Sequence, residues 1–131
     1  MRILVVDDDY VSRVKLVALL GQYGQCDNAP CGEIAIKLFE QAQKSGVPYN
    51  LVTMDIEMPD MDGQAVVKQM RAQESALGLV SSKQAKILMV TAKTALKEVS
   101  TSYHEGCDGY LTKPTTPQGL KDALKEVNIL Q

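Results

Sequence analysis

Five polar residues of this sequence stand at the ends of apolar runs, and their types suit metal and phosphate chemistry: Asp7, Asp8, Asp55, Thr91 and Lys113. A single carboxylate after a strand is more often a helix cap or a turn residue. Three carboxylates that meet at one place repel one another unless a cation compensates their charge. Oxygen ligands of this kind suit Mg²⁺, which completes its coordination with water and phosphate oxygens. A lysine and a hydroxyl can then hold a phosphoryl group, so the predicted chemistry is attack of a carboxylate on phosphorus to give an aspartyl phosphate.

The apolar runs that position these residues predict β-strands at 2–6, 51–54, 87–90 and 108–112, with a weaker, polar strand at 25–29. Helical spacing of apolar residues follows each strand, around 11–18, 35–42 and 65–70 and over 94–105 and 117–127. The polar segment 71–85 is interpreted as the end of a helix and a surface loop. This alternation predicts an α/β fold, a five-stranded parallel sheet with helices on both faces. Because ligands of such sheets bind beyond the carboxyl ends of the strands, we expect the five polar residues to converge there.

Composition sets the broad class of the protein. With 131 residues, 45% hydrophobic and 23% charged, the chain has the size and balance of one globular domain. Its formal charge of −2 offers no basic field for direct nucleic-acid binding. The first apolar run is too short for a signal peptide or a membrane span, so we expect no membrane association and a cytoplasmic location. The three cysteines are expected to be reduced structural thiols.

Four strings of the sequence carry a resemblance to a known family. They are Val5-Val6-Asp7-Asp8, then Met-Asp-Ile-Glu-Met-Pro-Asp-Met-Asp-Gly at 54–63, Thr91-Ala92, and Gly-Tyr-Leu-Thr-Lys-Pro at 109–114. In this order, and over essentially the whole chain, they resemble the motifs of the response-regulator receiver family of two-component signalling. The resemblance implies the flavodoxin-like, doubly wound receiver fold. We expect residues 1–131 to form a single receiver domain with no output domain.

The resemblance also implies a role for each site residue. Asp55 would be the phosphoacceptor, and Mg²⁺ would be held by Asp55 and by three further ligands: Asp7, Asp8 and the main-chain carbonyl of Glu57. Thr91 and Lys113 would hold the phosphoryl oxygens. Thr91 and Tyr110 would form the switch, with Tyr110 turning inward in the phosphorylated state.

Two features depart from the family pattern. Thr115 stands at the position after the Lys-Pro pair where the family often has an aromatic residue. The last strand and the last two predicted helices form the partner-binding face of the family. We therefore expect this face to be less apolar than usual. The connection at 71–85 is also longer than in chemotaxis-type members. Neither departure falls on a motif of the site.

The resemblance implies a phosphorylation-controlled switch. It would take a phosphoryl group from a phosphohistidine of a histidine kinase or a histidine phosphotransfer protein, and then alter its binding to an output protein. Such a protein is not an enzyme that turns over an external substrate, since it catalyses only its own phosphorylation and dephosphorylation.

Other functions stay open at this point. A phosphorelay intermediate would pass the group on to a second histidine protein. An aspartyl-phosphate hydrolase would also use a carboxylate and Mg²⁺, although such enzymes usually resemble an Asp-x-Asp pattern and here Ile56 and Glu57 follow Asp55. A flavodoxin-like cofactor binder would need a phosphate-binding loop after the first strand, where three aspartates stand instead.

Overall fold

The computed structural model of the chain describes residues 1–56, 58, 62–92 and 106–131. Five strands form one sheet: β1 (Arg2–Val6), β2 (Gln25–Ala29), β3 (Leu51–Asp55), β4 (Lys86–Ala92) and β5 (Gly109–Lys113). Their order is β2-β1-β3-β4-β5, and every neighbouring pair is parallel. All five predicted strands are confirmed, and the polar strand β2 lies at an edge, where less of its surface is covered.

Within the described ranges, four helices connect or follow these strands: α1 (Tyr10–Leu20), α2 (Gly32–Lys44), α3 (Gly63–Ala76) and α4 (Pro117–Glu126). A short 3₁₀ helix, Ser81–Lys83, precedes β4. The helix predicted over 94–105 lies outside the described residues. None of the described helices combines the length and apolar character needed to cross a bilayer.

The core has two layers because both faces of the central strands are apolar. In β1, Leu4 packs in a cluster with residues of α2 and α3, such as Phe39 and Met70. The next residue, Val5, points to the opposite face and packs in a cluster with residues of α1 and α4, such as Leu20. This confirms the predicted doubly wound α/β fold, with helices on both faces of a parallel sheet.

The strand order places a topological switch point between β1 and β3. From β1 the chain moves to β2 on one side, and then returns to β3 on the other side. The connections diverge at this point, which leaves a crevice at the carboxyl ends of β1 and β3. The residues that end these two strands are therefore placed to bind a ligand.

The segment 71–85 contains the end of α3 and a surface connection, as predicted, but also a buried ionic network. Glu74 is fully buried; its Oε1 lies 2.6 Å from Nη1 of Arg71, and its Oε2 accepts a hydrogen bond from the main-chain N–H of Ala85 at 2.7 Å. Arg71 also donates to the main-chain oxygen of Gly106 at 2.8 Å and to the carboxylate of Asp108 at 2.9 Å. These bonds tie α3 to the beginnings of β4 and β5.

A second polar group lies at the opposite end of the sheet from the strand ends described above. The Tyr49 hydroxyl donates to Oδ2 of Asp27 at 2.7 Å, and the Arg2 guanidinium pairs with the same oxygen at 2.9 Å. The hydrogen bond from Tyr49 lowers the pKa of the Asp27 carboxyl. Burial, followed by the bond to Asp27, raises the pKa of Tyr49. Tyr49 also stacks on Phe39, which anchors the segment before β3.

The cysteines are thiols, as predicted. Cys26, Cys31 and Cys107, all within the described residues, form no disulfide. Burial raises the pKa of the Cys26 and Cys107 thiols, which keeps both protonated at neutral pH.

Candidate functional site

The carboxyl ends of four strands bring the five predicted residues to one edge of the sheet. Asp7 and Asp8 directly follow β1, and Asp55 is the last residue of β3. Thr91 is the last residue but one of β4, and Lys113 ends β5. The strands pair in parallel register, so these ends lie side by side. The structure thus assembles residues that are far apart in the sequence.

Asp7, Asp8 and Asp55 form a tight acidic cluster. One carboxylate oxygen of each residue lies within 4.8 Å of the others. Asp7 and Asp55 are only 2% and 6% exposed, whereas Asp8 is exposed. Two like charges at 4.8 Å repel by about 1 kcal/mol in water, and by more where burial lowers the dielectric constant. A bound cation would relieve this repulsion.

Lys113 supplies part of the compensating charge. Its Nζ lies 3.4 Å from Oδ2 of Asp7 and 3.7 Å from Oδ2 of Asp55. Three carboxylates and one ammonium group leave a formal charge of −2 in this cluster. The peptide bond from Lys113 to Pro114 is cis.

Thr91 is buried beside the cluster. Its side chain is held only weakly, since Oγ1 lies 3.4 Å from the main-chain oxygen of Ala92, close to the upper limit for a hydrogen bond. The hydroxyl therefore loses little when it turns toward a stronger acceptor.

Tyr110 lies in β5, where it is partly buried against the core cluster beneath α2 and α3. Its role as a switch stays a prediction. Glu57, whose carbonyl was expected to bind metal, lies outside the described residues.

The third aspartate of the triplet has a different task from the first two. Asp9 is the N-cap of α1, and its Oδ2 accepts a hydrogen bond from the main-chain N–H of Ser12 at 2.9 Å. Hydrogen bonding by Ser12, first from its side chain and then from this main-chain N–H, lowers the pKa of the Asp9 carboxyl. The main-chain N–H of Asp9 in turn donates to Oδ1 of Asp7 at 2.9 Å. The helix cap and the acidic cluster therefore share one loop. The sequence did contain a signal for the cap, since an aspartate directly precedes the helical pattern.

Gly63, the first residue of α3, supports the backbone of the acceptor strand. A Cβ atom at this position would lie 2.4 Å from the main-chain oxygen of Asp55. Only glycine permits this approach, because such a contact cannot be accommodated without moving the strand end. The N–H of Gly63 also donates to the carbonyl of Ile56 at 3.2 Å. The start of α3 thus holds the end of β3 in place.

The residues present fit a magnesium ion. Among the described residues, the cluster of Asp7, Asp8 and Asp55 is the one group of metal-ligand side chains close enough to share an ion. Its donors are all oxygens, which suit Mg²⁺ better than the nitrogen and sulfur ligands typical of zinc sites. Its formal charge of −2, counted with Lys113, matches a dication. A groove of about 410 Å³ opens beside it, lined by Asp7 and Lys113 among others.

Comparisons with known proteins agree with this geometry. A family model described as the response regulator receiver domain matches residues 3–125, which include every residue of the site. The chain is 32% identical over 127 residues to a chemotaxis protein CheY homolog of Campylobacter jejuni, covering 97% of this chain and 92% of the relative. It is 34% identical over 125 residues to the sensor histidine kinase RcsC of Salmonella typhi, spanning 95% of this chain and 12% of that kinase. Among solved structures, the chemotaxis protein CheY4 of Vibrio cholerae matches with a TM-score of 0.76 at 29% identity, over 96% of this chain and 97% of that one.

Proposed function

This chain belongs to the response-regulator receiver domain family, and from that membership we propose that it is a signalling switch phosphorylated on Asp55. The phosphoryl donor would be a phosphohistidine of a histidine kinase or a histidine phosphotransfer protein. The output would be a change in affinity for a partner protein.

One observation carries the proposal: a buried carboxylate, two further carboxylates and a lysine meet at the crevice of a doubly wound sheet. The carboxylate oxygens lie within 4.8 Å of one another, and Lys113 Nζ is 3.7 Å from the proposed acceptor. Such a cluster is costly for stability, since like charges repel and buried charges lose hydration. Costly charge clusters of this kind are typical of functional sites.

The residues of the site divide the chemistry of phosphoryl transfer between them. A carboxylate oxygen of Asp55 forms the new bond to phosphorus, while the bond from phosphorus to the imidazole nitrogen of the donor breaks and that nitrogen takes up a proton. Lys113 places its ammonium group where charge builds up on the phosphoryl oxygens. Thr91 supplies a hydroxyl that can donate to one of these oxygens.

The cation site would be held by Asp7, Asp8 and Asp55, with Asp7 acting partly through water. When bound, Mg²⁺ would neutralise the carboxylates and stabilise the charge of the transferring group. Asp7 and Asp8 would keep the ion beside the acceptor. Asp8 is the exposed ligand, which leaves the site open to solvent ions.

The switch would follow from Thr91. A new charge-assisted hydrogen bond from its hydroxyl to the phosphoryl group is worth about 1.5–3 kcal/mol, enough to bias two conformations about tenfold to a hundredfold. Movement of Thr91 on β4 would free space for Tyr110 on the neighbouring strand β5. Tyr110 would then turn inward and change the surface that the partner protein meets.

Labelling with a small phosphodonor tests the acceptor assignment. Incubation with acetyl phosphate and Mg²⁺ should add one phosphoryl group, observed by intact-mass spectrometry, and Asp55→Asn should abolish it. An equal extent of labelling in Asp55→Asn would overturn the assignment. Turnover of a small ester such as p-nitrophenyl phosphate would point instead to the hydrolase alternative.

A second role has support from one of the relatives. The chain resembles part of a sensor histidine kinase as well as a chemotaxis regulator, so it could act as a phosphorelay intermediate. Transfer of the label from phosphorylated protein to a histidine phosphotransfer protein would distinguish a relay from a terminal switch.

A further inference from the structure

Arg13, in the first turns of α1, contacts the backbone of the candidate metal site. Its Nη1 donates to the main-chain oxygen of Asp7 at 2.8 Å. Its Nε donates to Oδ1 of Asn28, in the edge strand β2, at 3.1 Å. The guanidinium carbon also lies 5.6 Å from the centroid of the Tyr10 ring. The guanidinium therefore links the end of β1 to the edge strand and to the helix that follows.

The oxygen that Arg13 holds belongs to the peptide bond between the first two aspartates. A peptide unit is planar, so holding its oxygen holds the plane that contains the Cα atoms of both Asp7 and Asp8. The N–H of Asp7 is fixed as well, because it donates to the main-chain oxygen of Ala29 at 3.1 Å. The peptide units on both sides of the Asp7 Cα are thus held in place, and the second of them also carries Asp8.

Contacts within its own helix, to the ring of Tyr10 and the cap carboxylate of Asp9, explain only part of the location of this arginine. A cation near the N-terminus of a helix faces the positive end of the helix dipole, which disfavours it. The three contacts that hold Arg13 all lead to the loop after β1, to β2 or to Tyr10. Groups behind the direct ligands of a metal orient those ligands, and their removal typically weakens metal binding by about 10- to 100-fold.

We infer that Arg13 is a positioning residue of the magnesium site, which sets the orientation of Asp7 and Asp8 through the peptide bond between them. This inference rests on the proposed function, because it assumes that these carboxylates bind Mg²⁺. Arg13 does not touch the ion or the phosphoryl group in this scheme; it acts only through the backbone.

The sign of the effect separates positioning from simple electrostatics. Arg13 carries a positive charge close to an acidic cluster, so charge alone predicts that its removal strengthens the binding of a dication. Loss of positioning predicts the opposite, weaker binding. A neutral variant therefore distinguishes the two.

Isothermal titration calorimetry of the protein with MgCl₂ at constant ionic strength measures the Mg²⁺ affinity that tests this inference. Arg13→Met should weaken Mg²⁺ binding by about tenfold or more. Arg13→Lys, which restores the charge but not the two-nitrogen geometry, should recover only part of the affinity. Lys15→Met is the matched control, because it removes the same charge from the same helix and Lys15 makes no hydrogen bond to Asp7 within the described structure.

Asn28→Ala provides an independent variant at an exposed position, should Arg13→Met fold poorly. It removes one anchor of the guanidinium without touching the Asp7 carbonyl. It should weaken Mg²⁺ binding severalfold in the unmodified chain and have no further effect in Arg13→Met.

Mg²⁺ affinity in Arg13→Met equal to or tighter than in the unmodified protein would overturn the positioning role while leaving the proposed function intact. If Arg13→Met does not fold, unchanged affinity in Asn28→Ala would overturn the role in the same way. Absence of Mg²⁺ binding to the unmodified protein at millimolar concentrations would overturn both.

Discussion

Replacing Asp8 by Asn is expected to stabilise the protein without metal and to remove most of its response to Mg²⁺. Asp8 lies within 4.8 Å of two other carboxylates, and at this distance each like-charge pair costs about 1 kcal/mol at the dielectric of water. Since Asp8 is exposed, the water value is the appropriate one, and attraction to Lys113 offsets part of the repulsion. We therefore expect a gain of about 1 kcal/mol in the free energy of unfolding, or a rise of about 3–5 °C in Tm for a domain of this size.

Magnesium should reverse the order of stability of Asp8→Asn and the unmodified protein. At a Mg²⁺ concentration 100 times the Kd, binding stabilises the unmodified protein by about 2.7 kcal/mol. Loss of an outer-shell group typically weakens metal affinity by about 10- to 100-fold. Loss of Asp8, a proposed direct ligand, should weaken Mg²⁺ affinity by at least about 100-fold. The variant then gains only about 0.4 kcal/mol at the same Mg²⁺ concentration. It should be the more stable protein in chelator and the less stable one in Mg²⁺.

Urea unfolding followed by far-UV circular dichroism, with EDTA or with MgCl₂ at matched ionic strength, measures both free energies. Asp9→Asn is the control, because it removes the same charge from the neighbouring residue while Asn keeps the oxygen that caps α1. Its carboxylate interacts favourably with Lys113 and Arg13, so neutralising it should give no gain in stability. Lower stability of Asp8→Asn than of the unmodified chain in EDTA, or equal stabilisation of the two proteins by Mg²⁺, would contradict these expectations.

Three further substitutions test one contact beside the site and two polar groups elsewhere in the fold. In Gly63→Ala the new Cβ would lie 2.4 Å from the Asp55 carbonyl oxygen. This variant should therefore lose about 1–3 kcal/mol of stability and be labelled more slowly by a phosphodonor. Unchanged labelling kinetics would contradict this prediction. Glu74→Gln should cost about 3 kcal/mol, because it breaks a buried ion pair, while Mg²⁺ affinity is retained in titrations. Tyr49→Phe should cost about 1 kcal/mol at pH 7 by removing the hydrogen bond to Asp27. That bond lowers the pKa of Asp27. The stability that the bond contributes is therefore present above the unfolded pKa of about 3.9 and should vanish as pH falls through the lower folded pKa. A loss of stability in Tyr49→Phe that persists at low pH would refute the assignment.

Two controls accompany these variants. Gly21→Ala introduces a Cβ in helical backbone with its nearest contact at 3.3 Å, so it should leave both stability and labelling nearly unchanged. Glu33→Gln disrupts an exposed pair with Lys37, in which both side chains are more than half exposed. Glu33→Gln should lower the free energy of unfolding by no more than about 1 kcal/mol. A larger loss in Glu74→Gln would then be due to the burial of its ion pair and not to the loss of a charge alone.

Local patterns in the sequence predicted much of the fold and most of the candidate site. Buried parallel strands read as short apolar runs, and each run here ended within one or two residues of the observed strand. The polar residues at those ends could be recognised because a charge next to a buried run is a local feature. Convergence of Asp7, Asp55 and Lys113 then followed from the general geometry of parallel sheets.

The sequence predicted Asp7 and Asp8 as site residues, but it did not predict a task for Asp9, the third aspartate of the triplet. Asp7 and Asp8 face the acidic cluster while Asp9 caps α1, and the difference arises from the path of the backbone between β1 and the helix. Their separate tasks depend on which groups the rest of the fold places opposite each side chain.

The partners of polar side chains were decided only by the tertiary structure. Glu74 lies in a segment with the composition of a surface loop, yet it is fully buried because Arg71 and the N–H of Ala85 surround it. Arg13 reaches Asn28 because β1 and β2 are neighbours in the sheet. Periodicity along a chain encodes which side chains avoid water, and so it determines the elements. Compensation of charge and hydrogen bonding depends on distances between elements, which exist only once the sheet order has been set.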